Sequence, residues 1–319
     1  MAAHPEHTIT APRRWTAGLA ALVGALALAA TLAVAPAGAT RVAGPAAHQR
    51  VAGSTTGGGY VALGDSYASA PVIPTQLSPT GCDRSSSNYP HLVAAALGLS
   101  LTDVTCGGAT TADMTGAQQL AGGGTNPAQL EAVNASTSLV TLTVGGDDLG
   151  FSSILENCLA YTPLGPTSVG WTCRSHYDAG GVDSLATAIS VTGPKLVGVL
   201  AQIHALAPRA RVLVVGYPAI LPPTGAGCWP RMPFTLTDAA YLRSVEVDLN
   251  AMLASVAARN GATYVDTYDP STTHNACAPE STRWVEPVLP DGAAPVHPNA
   301  AGEAAMASMV EASLRPASA

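Results

Sequence analysis

Charge is scarce in this chain: charged residues make up 11% of its 319 positions, against roughly a quarter in typical soluble domains. Lys195 is the one lysine, and 14 basic residues face 21 acidic ones. A nucleic-acid binder would carry a basic stripe, and a heptad coiled coil would need charged e and g positions, so neither is expected. Disorder over most of the chain is excluded too, because it requires low hydrophobicity and high charge, whereas 47% of the residues are apolar. Internal repeats and a long low-complexity linker after residue 60 are lacking. There is no C-x₂-C pair of the kind that binds zinc, and no metal is expected. No uncharged apolar run of membrane-spanning length follows the first 40 residues. What remains is a compact, Ala- and Gly-rich globular protein behind an unusual N-terminus.

That N-terminus has three zones. Residues 1–14 are polar and end in Arg13-Arg14, Trp15 to Val34 is apolar and uncharged, and Ala37-Gly38-Ala39 is an A-x-A pattern. Basic, apolar and small-residue zones in that order form a secretory signal. Residues 1–39 are therefore expected to be a cleaved leader, leaving no membrane span, and the protein to be secreted; an uncleaved membrane anchor is the alternative, since the run is long enough to span a bilayer, and export by the general or the twin-arginine route stays open. Residues 40–58, rich in Ala, Gly, Ser and Thr, read as a flexible tail, and 59–319 as a single domain. Cys82, Cys106, Cys158, Cys173, Cys228 and Cys277 are even in number, which in an exported chain reads as disulfides. Several connectivities are open; sequential pairing, 82–106, 158–173 and 228–277, is preferred.

Five short apolar runs, Tyr60–Leu63, Leu101–Thr105, Leu139–Val144, Arg211–Val215 and Ala262–Val265, are too short for helices and read as buried strands. Helical segments lie between and after them, at Asn88–Leu97, Pro127–Asn134, Ser184–Leu206, Thr237–Asn260 and Pro298–Leu314. The segments Phe151–Asp183 and Pro222–Phe234 read as long loops stapled by disulfides. Strands alternating with helices predict a parallel α/β sheet covered on both faces. In such a sheet function gathers at the carboxyl ends of the strands.

The residues that follow the strands fit that rule. Gly64-Asp65-Ser66 follows the first, placing Ser66 at a sharp strand-to-helix turn where backbone N–H groups can stabilise an oxyanion. Cys106-Gly107-Gly108 follows the second and Gly145-Gly146-Asp147-Asp148 the third. His297 precedes Pro298, a residue suited to the first position of a helix; the helix dipole there would keep the imidazole neutral, as a general base must be. Each turn alone reads as easily as a cap or a loop. Together they supply a nucleophile, a base and oxyanion donors, the kit for acyl transfer.

These blocks, GDS, GGATT, GGDD and HPNAAG, resemble the SGNH (GDSL) hydrolase superfamily. VGGDDLGF at Val144–Phe151, Gly216-Tyr217-Pro218, HNAC at His274–Cys277 and Trp284 look like its secreted actinobacterial esterase and lipase branch, typified by the Streptomyces scabies esterase. The resemblance implies a flavodoxin-like three-layer α/β/α sandwich with a five-stranded parallel sheet. It also implies cofactor-free hydrolysis of carboxylic esters through an acyl-serine, and it supports the sequential disulfides; a monomer is expected. Carried over, Ser66 is the nucleophile, His297 the base, and the amides of Ser66 and Gly108 line the oxyanion hole. Asp147 stands where the family usually has a donating Asn. Ala294 occupies the place of the family's His-orienting Asp, so the Ala294 carbonyl is expected to orient His297, with Asp291 as the alternative. His274 and Trp284 could line the cleft or serve packing. A phospholipase or a polysaccharide deacylase fits the same residues, and an inactive lipid- or glycan-binding homologue is the reading from another class.

Overall fold

The computed structural model describes residues 59–160, 172–225 and 227–315. The expected leader and tail lie outside these residues. Five strands form one parallel sheet: β1 (Gly59–Gly64), β2 (Leu101–Asp103), β3 (Thr137–Thr143), β4 (Arg211–Val215) and β5 (Thr263–Val265). Their order is β2-β1-β3-β4-β5. All five expected strands are present, and the order is that of the flavodoxin-like sheet. The chain leaves β1 toward one side for β2 and toward the other for β3, so a crevice opens at the carboxyl ends of β1 and β3.

Alternation of side chains along each strand divides the sheet between two cores. Val61, Leu63, Val140, Leu142, Val212 and Val214 pack on one face, against α5 (Ser184–Leu206) and α6 (Leu236–Arg259). Tyr60, Ala62, Leu139, Leu213, Val215 and Val265 pack on the other, against α2 (Tyr89–Leu97) and α8 (Ala300–Leu314). Each Val or Leu fully buried there contributes roughly 1.5–3 kcal/mol, which is why these strands are continuous apolar runs. Two buried hydroxyl pairs, Tyr60 with Thr141 at 2.8 Å and Tyr89 with Thr143 at 3.0 Å, satisfy the polar atoms on the second face. The helix α5 is long and apolar enough to cross a membrane, yet Leu185, Ile189, Leu196, Val199, Leu200 and Ile203 are buried in the first core.

Three expectations about the elements are corrected. Phe151–Asp183 is not all loop: it holds α3 (Phe151–Ala160) and α4 (Cys173–Tyr177). Phe151, Ile154, Leu155 and Cys158 recur at helical spacing and pack into a third apolar cluster with Leu221, Met232, Phe234 and Val296. Of the expected helix at Pro127–Asn134, only a 3₁₀ turn, Gln129–Ala132, forms. The last helix begins at Ala300 rather than Pro298, because the Asn299 side chain accepts the amides of Ala301 and Gly302 and sets the cap there. Two short helices, α1 (Ser66–Ser69) and α7 (Tyr268–Ser271), complete the helical elements used below.

The disulfides are Cys82–Cys106, Cys158–Cys173 and Cys228–Cys277, as expected. They close loops whose entropy in the unfolded chain makes each bridge worth about 3–4 kcal/mol. The first begins at the exit of β2, the second joins α3 to α4, and the third ties the Pro222–Phe234 loop to the segment after α7.

Candidate active site

The turn after β1 is set by Gly64. Its φ is +149°, and a Cβ there would stand 2.5 Å from the Thr143 carbonyl oxygen of β3, so only glycine fits. The Gln129 side chain clamps this residue: its Oε1 accepts the Gly64 amide at 2.7 Å and its Nε2 donates to the Gly64 carbonyl at 2.9 Å. Asp65 is buried and caps α1 by accepting the Tyr67 amide at 3.0 Å. It also accepts a short hydrogen bond from the Tyr217 hydroxyl, which in turn accepts the Gly146 amide at 2.8 Å. One tyrosine thus ties the turn after β1 to the turn after β3. Burial, and then the nearby Asp147 charge, push the Asp65 carboxyl well above the usual carboxylate range.

Ser66, half-buried, begins α1, and its Oγ lies 2.7 Å from His297 Nε2. His297 Nδ1 is 2.7 Å from the Pro295 carbonyl. A carbonyl only accepts, so Nδ1 carries the proton and Nε2 presents its lone pair to the serine hydroxyl. This corrects the expected orienting group. Ala294 instead accepts the backbone amide of His297 at 3.2 Å and donates its own to the Pro71 carbonyl. Asp291 points to solvent and pairs with Arg283 at 2.8 Å, away from the imidazole. The imidazole packs against Tyr67 and Phe151, with ring centroids 4.9 and 5.6 Å away. Its pKa is lowered by burial, with the Pro295 carbonyl pulling the other way, which favours the neutral imidazole. Val296, immediately before it, has a φ of +60°, a conformation β-branched residues rarely hold. The Tyr67 hydroxyl fixes it by donating to the Val296 carbonyl at 2.6 Å.

The amides of Ser66 and Gly108 have no hydrogen-bond partner among the described residues. Gly108 has a φ of +74°, and the preceding Gly107 is pinned on both sides, by the Cys82 carbonyl and by the Gln118 side chain. The Asp148 carboxylate accepts the Thr111 amide and hydroxyl at 2.8 and 2.6 Å and meets Lys195 at 3.3 Å, joining the turn after β2 to that after β3. The Asp147 carboxyl, beside it, has no hydrogen-bond partner among the described residues. Burial, followed by the charges of Asp148 and Asp113, raises its pKa to about 6.

Ser66, Tyr67 and Asp147 open into an apolar cleft. Its walls are Leu149, Phe151, Ile154 and Leu155 around α3, Ile220 and Leu221 after β4, and Leu242, Val245 and Leu249 of α6. His274 and Trp284 do not line it. Their rings stack on each other with centroids 4.0 Å apart, and the Trp284 amide donates to the His274 carbonyl, so they pack the loop that follows α7. That loop is held by a buried Arg283–Glu286 pair at 2.8 Å, and the Glu286 amide donates to the His297 carbonyl at 2.9 Å. Sequence reasoning missed Gln129, Arg283 and Glu286; Tyr217 was noticed only as part of a motif. Gln129 and Tyr217 act across 65 and 152 positions, which no local pattern announces, while Arg283 and Glu286 pair locally inside a loop that carries no recognisable motif. Among the described residues no group of three or more His, Cys, Asp or Glu side chains is placed to hold a metal.

Residues 62–305 match the family described as GDSL-like Lipase/Acylhydrolase. The chain is 42% identical to "Lipase 2" of Streptomyces coelicolor over 256 residues, 78% of this chain and 83% of that protein. It is 30% identical to an "Esterase" of Streptomyces scabiei over 247 residues, 68% of this chain and 72% of that one. Among solved structures, a phospholipase A1 from Streptomyces albidoflavus superposes with a TM-score of 0.65 at 29% identity, covering 80% of this chain and 99% of the other. An extracellular lipase from Streptomyces rimosus gives a TM-score of 0.65 at 27% identity with the same coverage.

Proposed function

Because the chain belongs to the GDSL-like lipase/acylhydrolase family and is an ester-hydrolysing serine hydrolase, we propose that Ser66 and His297 form its catalytic dyad and that its substrates are lipid esters. In this reading the Ser66 oxygen attacks the ester carbonyl while His297 Nε2 takes the hydroxyl proton. The Pro295 carbonyl, hydrogen-bonded to Nδ1, steadies the imidazolium that forms. The amides of Ser66 and Gly108 donate to the oxyanion. The alcohol leaves with the proton from His297, and a water activated by the same nitrogen then releases the acyl group from Ser66. Asp147, in its protonated form, is the third donor.

The observation that carries this reading is the 2.7 Å contact between Ser66 Oγ and His297 Nε2 at the mouth of an apolar cleft. The cleft favours fatty acyl chains over the short polar acetyl groups of a polysaccharide. The proteins named lipase, esterase and phospholipase A1 among its relatives support the same class. Residues 1–39 as a secretory leader and 59–319 as one domain acting outside the cell agree with three disulfides and with an extracellular relative. The test is hydrolysis of p-nitrophenyl esters of increasing acyl length by the protein and by Ser66→Ala. Turnover extending to long chains, and abolished in Ser66→Ala, is expected. Equal rates from the two proteins would refute the assignment of Ser66.

A further inference from the structure

The α6 residues that line the cleft are Leu242, Val245, Glu246 and Leu249, one helical stripe in which a single position is acidic. Glu246 is 9% exposed. Its carboxyl accepts the Ile220 amide, at 3.1 Å to one oxygen and 3.3 Å to the other. That one N–H is the whole of its hydrogen bonding among the described residues. The Arg243 guanidinium, one turn back on α6, donates to the carbonyls of Pro222 and Gly225 rather than to this carboxyl, and its charge offsets only part of the effect of burial. The other titratable groups around it are Tyr67 of α1 and Tyr268 of α7, whose hydroxyls are pushed upward in pKa and stay neutral. Burial raises the Glu246 pKa to about 8, so at neutral pH the group is a carboxylic acid with an O–H to donate.

That O–H has no acceptor among the described residues. A leucine at this position would continue the apolar wall and avoid the cost of burying a carboxyl. A buried donor left unpaired costs about as much as a lost hydrogen bond, and Glu246 faces the cleft that leads to Ser66. We propose that Glu246 is a specificity residue that donates to an oxygen carried along the substrate's acyl chain, so that the cleft prefers hydroxy- or keto-acyl esters over plain acyl esters of equal length. The proposal rests on the reading of Ser66 as nucleophile and of the cleft as the acyl site.

The experiment compares p-nitrophenyl esters of one chain length at pH 7, plain or bearing a single keto or hydroxyl group at successive carbons. For the wild-type protein, kcat/KM should peak at one oxygen position, mainly through a lower KM, by about tenfold over the plain ester. A uniform decline at every position, the cost of an oxygen in an apolar cleft, would overturn the proposal without any variant being made. Glu246→Gln keeps an acceptor for the Ile220 amide and an N–H donor, and should keep the peak. Glu246→Leu should erase it and favour the plain ester, and a peak that survives in Glu246→Leu would overturn the proposal. Hydrolysis of p-nitrophenyl acetate by wild type but not by Ser66→Ala reports separately on the dyad. Loss of the peak with that control intact condemns the Glu246 proposal alone, whereas failure of the control removes the reading beneath it and the proposal with it.

Discussion

Asp147 is the residue on which the pH behaviour of this site turns. An ionised carboxylate would repel the developing oxyanion, while the protonated acid can donate to it, as buried carboxylic acids do when their pKa is raised. The Asp147 pKa is raised to about 6 and that of His297 is lowered from the ordinary histidine value. In the proposed mechanism His297 acts when neutral and Asp147 donates when protonated, so kcat/KM should rise through the lowered histidine pKa and fall again through about 6. In Asp147→Asn the donor no longer titrates. The alkaline limb should vanish and the rate at pH 8 should increase by on the order of 10²-fold, the usual worth of one oxyanion donor. If the substitution changes nothing at any pH, the amides of Ser66 and Gly108 serve the oxyanion without Asp147. At this scale the sequence exposed Ser66 and His297 as candidates that the structure brings into contact, because the one follows a strand and the other precedes a helix. It concealed which carbonyl orients His297. That depends on the turn made by Pro295 and Val296, and a positive φ at a valine is not something residue type predicts.

Among the elements, the short 3₁₀ turn at Gln129–Ala132 has an effect out of proportion to its length. Gln129 supplies the acceptor for the buried Gly64 amide, two residues before Ser66. The Gly64 carbonyl also receives the Cys106 amide, so it keeps a partner if Gln129 is lost, but the Gly64 amide does not. Gln129→Leu should therefore lower stability by about 1–3 kcal/mol, read as a fall in the denaturation midpoint. Activity should fall further than the folded fraction does, because the turn that aims Ser66 is released. A variant with unchanged kcat would show that the sheet alone holds the turn. The strands β1, β3 and β4 were legible because they are largely buried and mostly apolar; β2 and β5, with exposed Thr102 and Thr263, were legible as short runs lying between helical segments. The helix α3 was not, since the serine and cysteine residues around Phe151, Ile154 and Leu155 read as a disulfide loop until the third apolar cluster gives that stripe something to pack on. Gln129 left no local signal at all; its partner is 65 positions away.

Taken whole, the molecule buries carboxyls in an unusual protonation state. Asp65, Glu246 and Glu303 are all buried, and burial is the first cause that raises each. Glu303 sits between α8 and α2, where it accepts the Tyr89 amide at 2.6 Å. An unfolded chain releases such protons at ordinary carboxylate pH, near 4, whereas the folded chain still holds them. Over that interval folding is coupled to proton uptake, so stability falls as pH rises; for Glu246 the interval ends near pH 8. His297 acts in the opposite sense, weakening the fold as pH drops below its unfolded value, but it is one group against several. The denaturation midpoint should therefore decline from mildly acidic pH toward pH 8, and Glu246→Gln should make that decline shallower. A midpoint that climbs with pH in both proteins would contradict the burial of these groups in neutral form.

The crevice between β1 and β3 has a further consequence. Ser66 and His297 hang from the end of β1 and from the loop before α8, whereas most of the cleft wall belongs to α3, to the segment after β4 and to α6. In the proposed reading, bond-breaking and chain selection are therefore largely separable modules of one scaffold. A library confined to Ile154, Leu155, Leu242 and Leu249 could retune which acids are released while leaving the Ser66–His297 contact in its native surroundings.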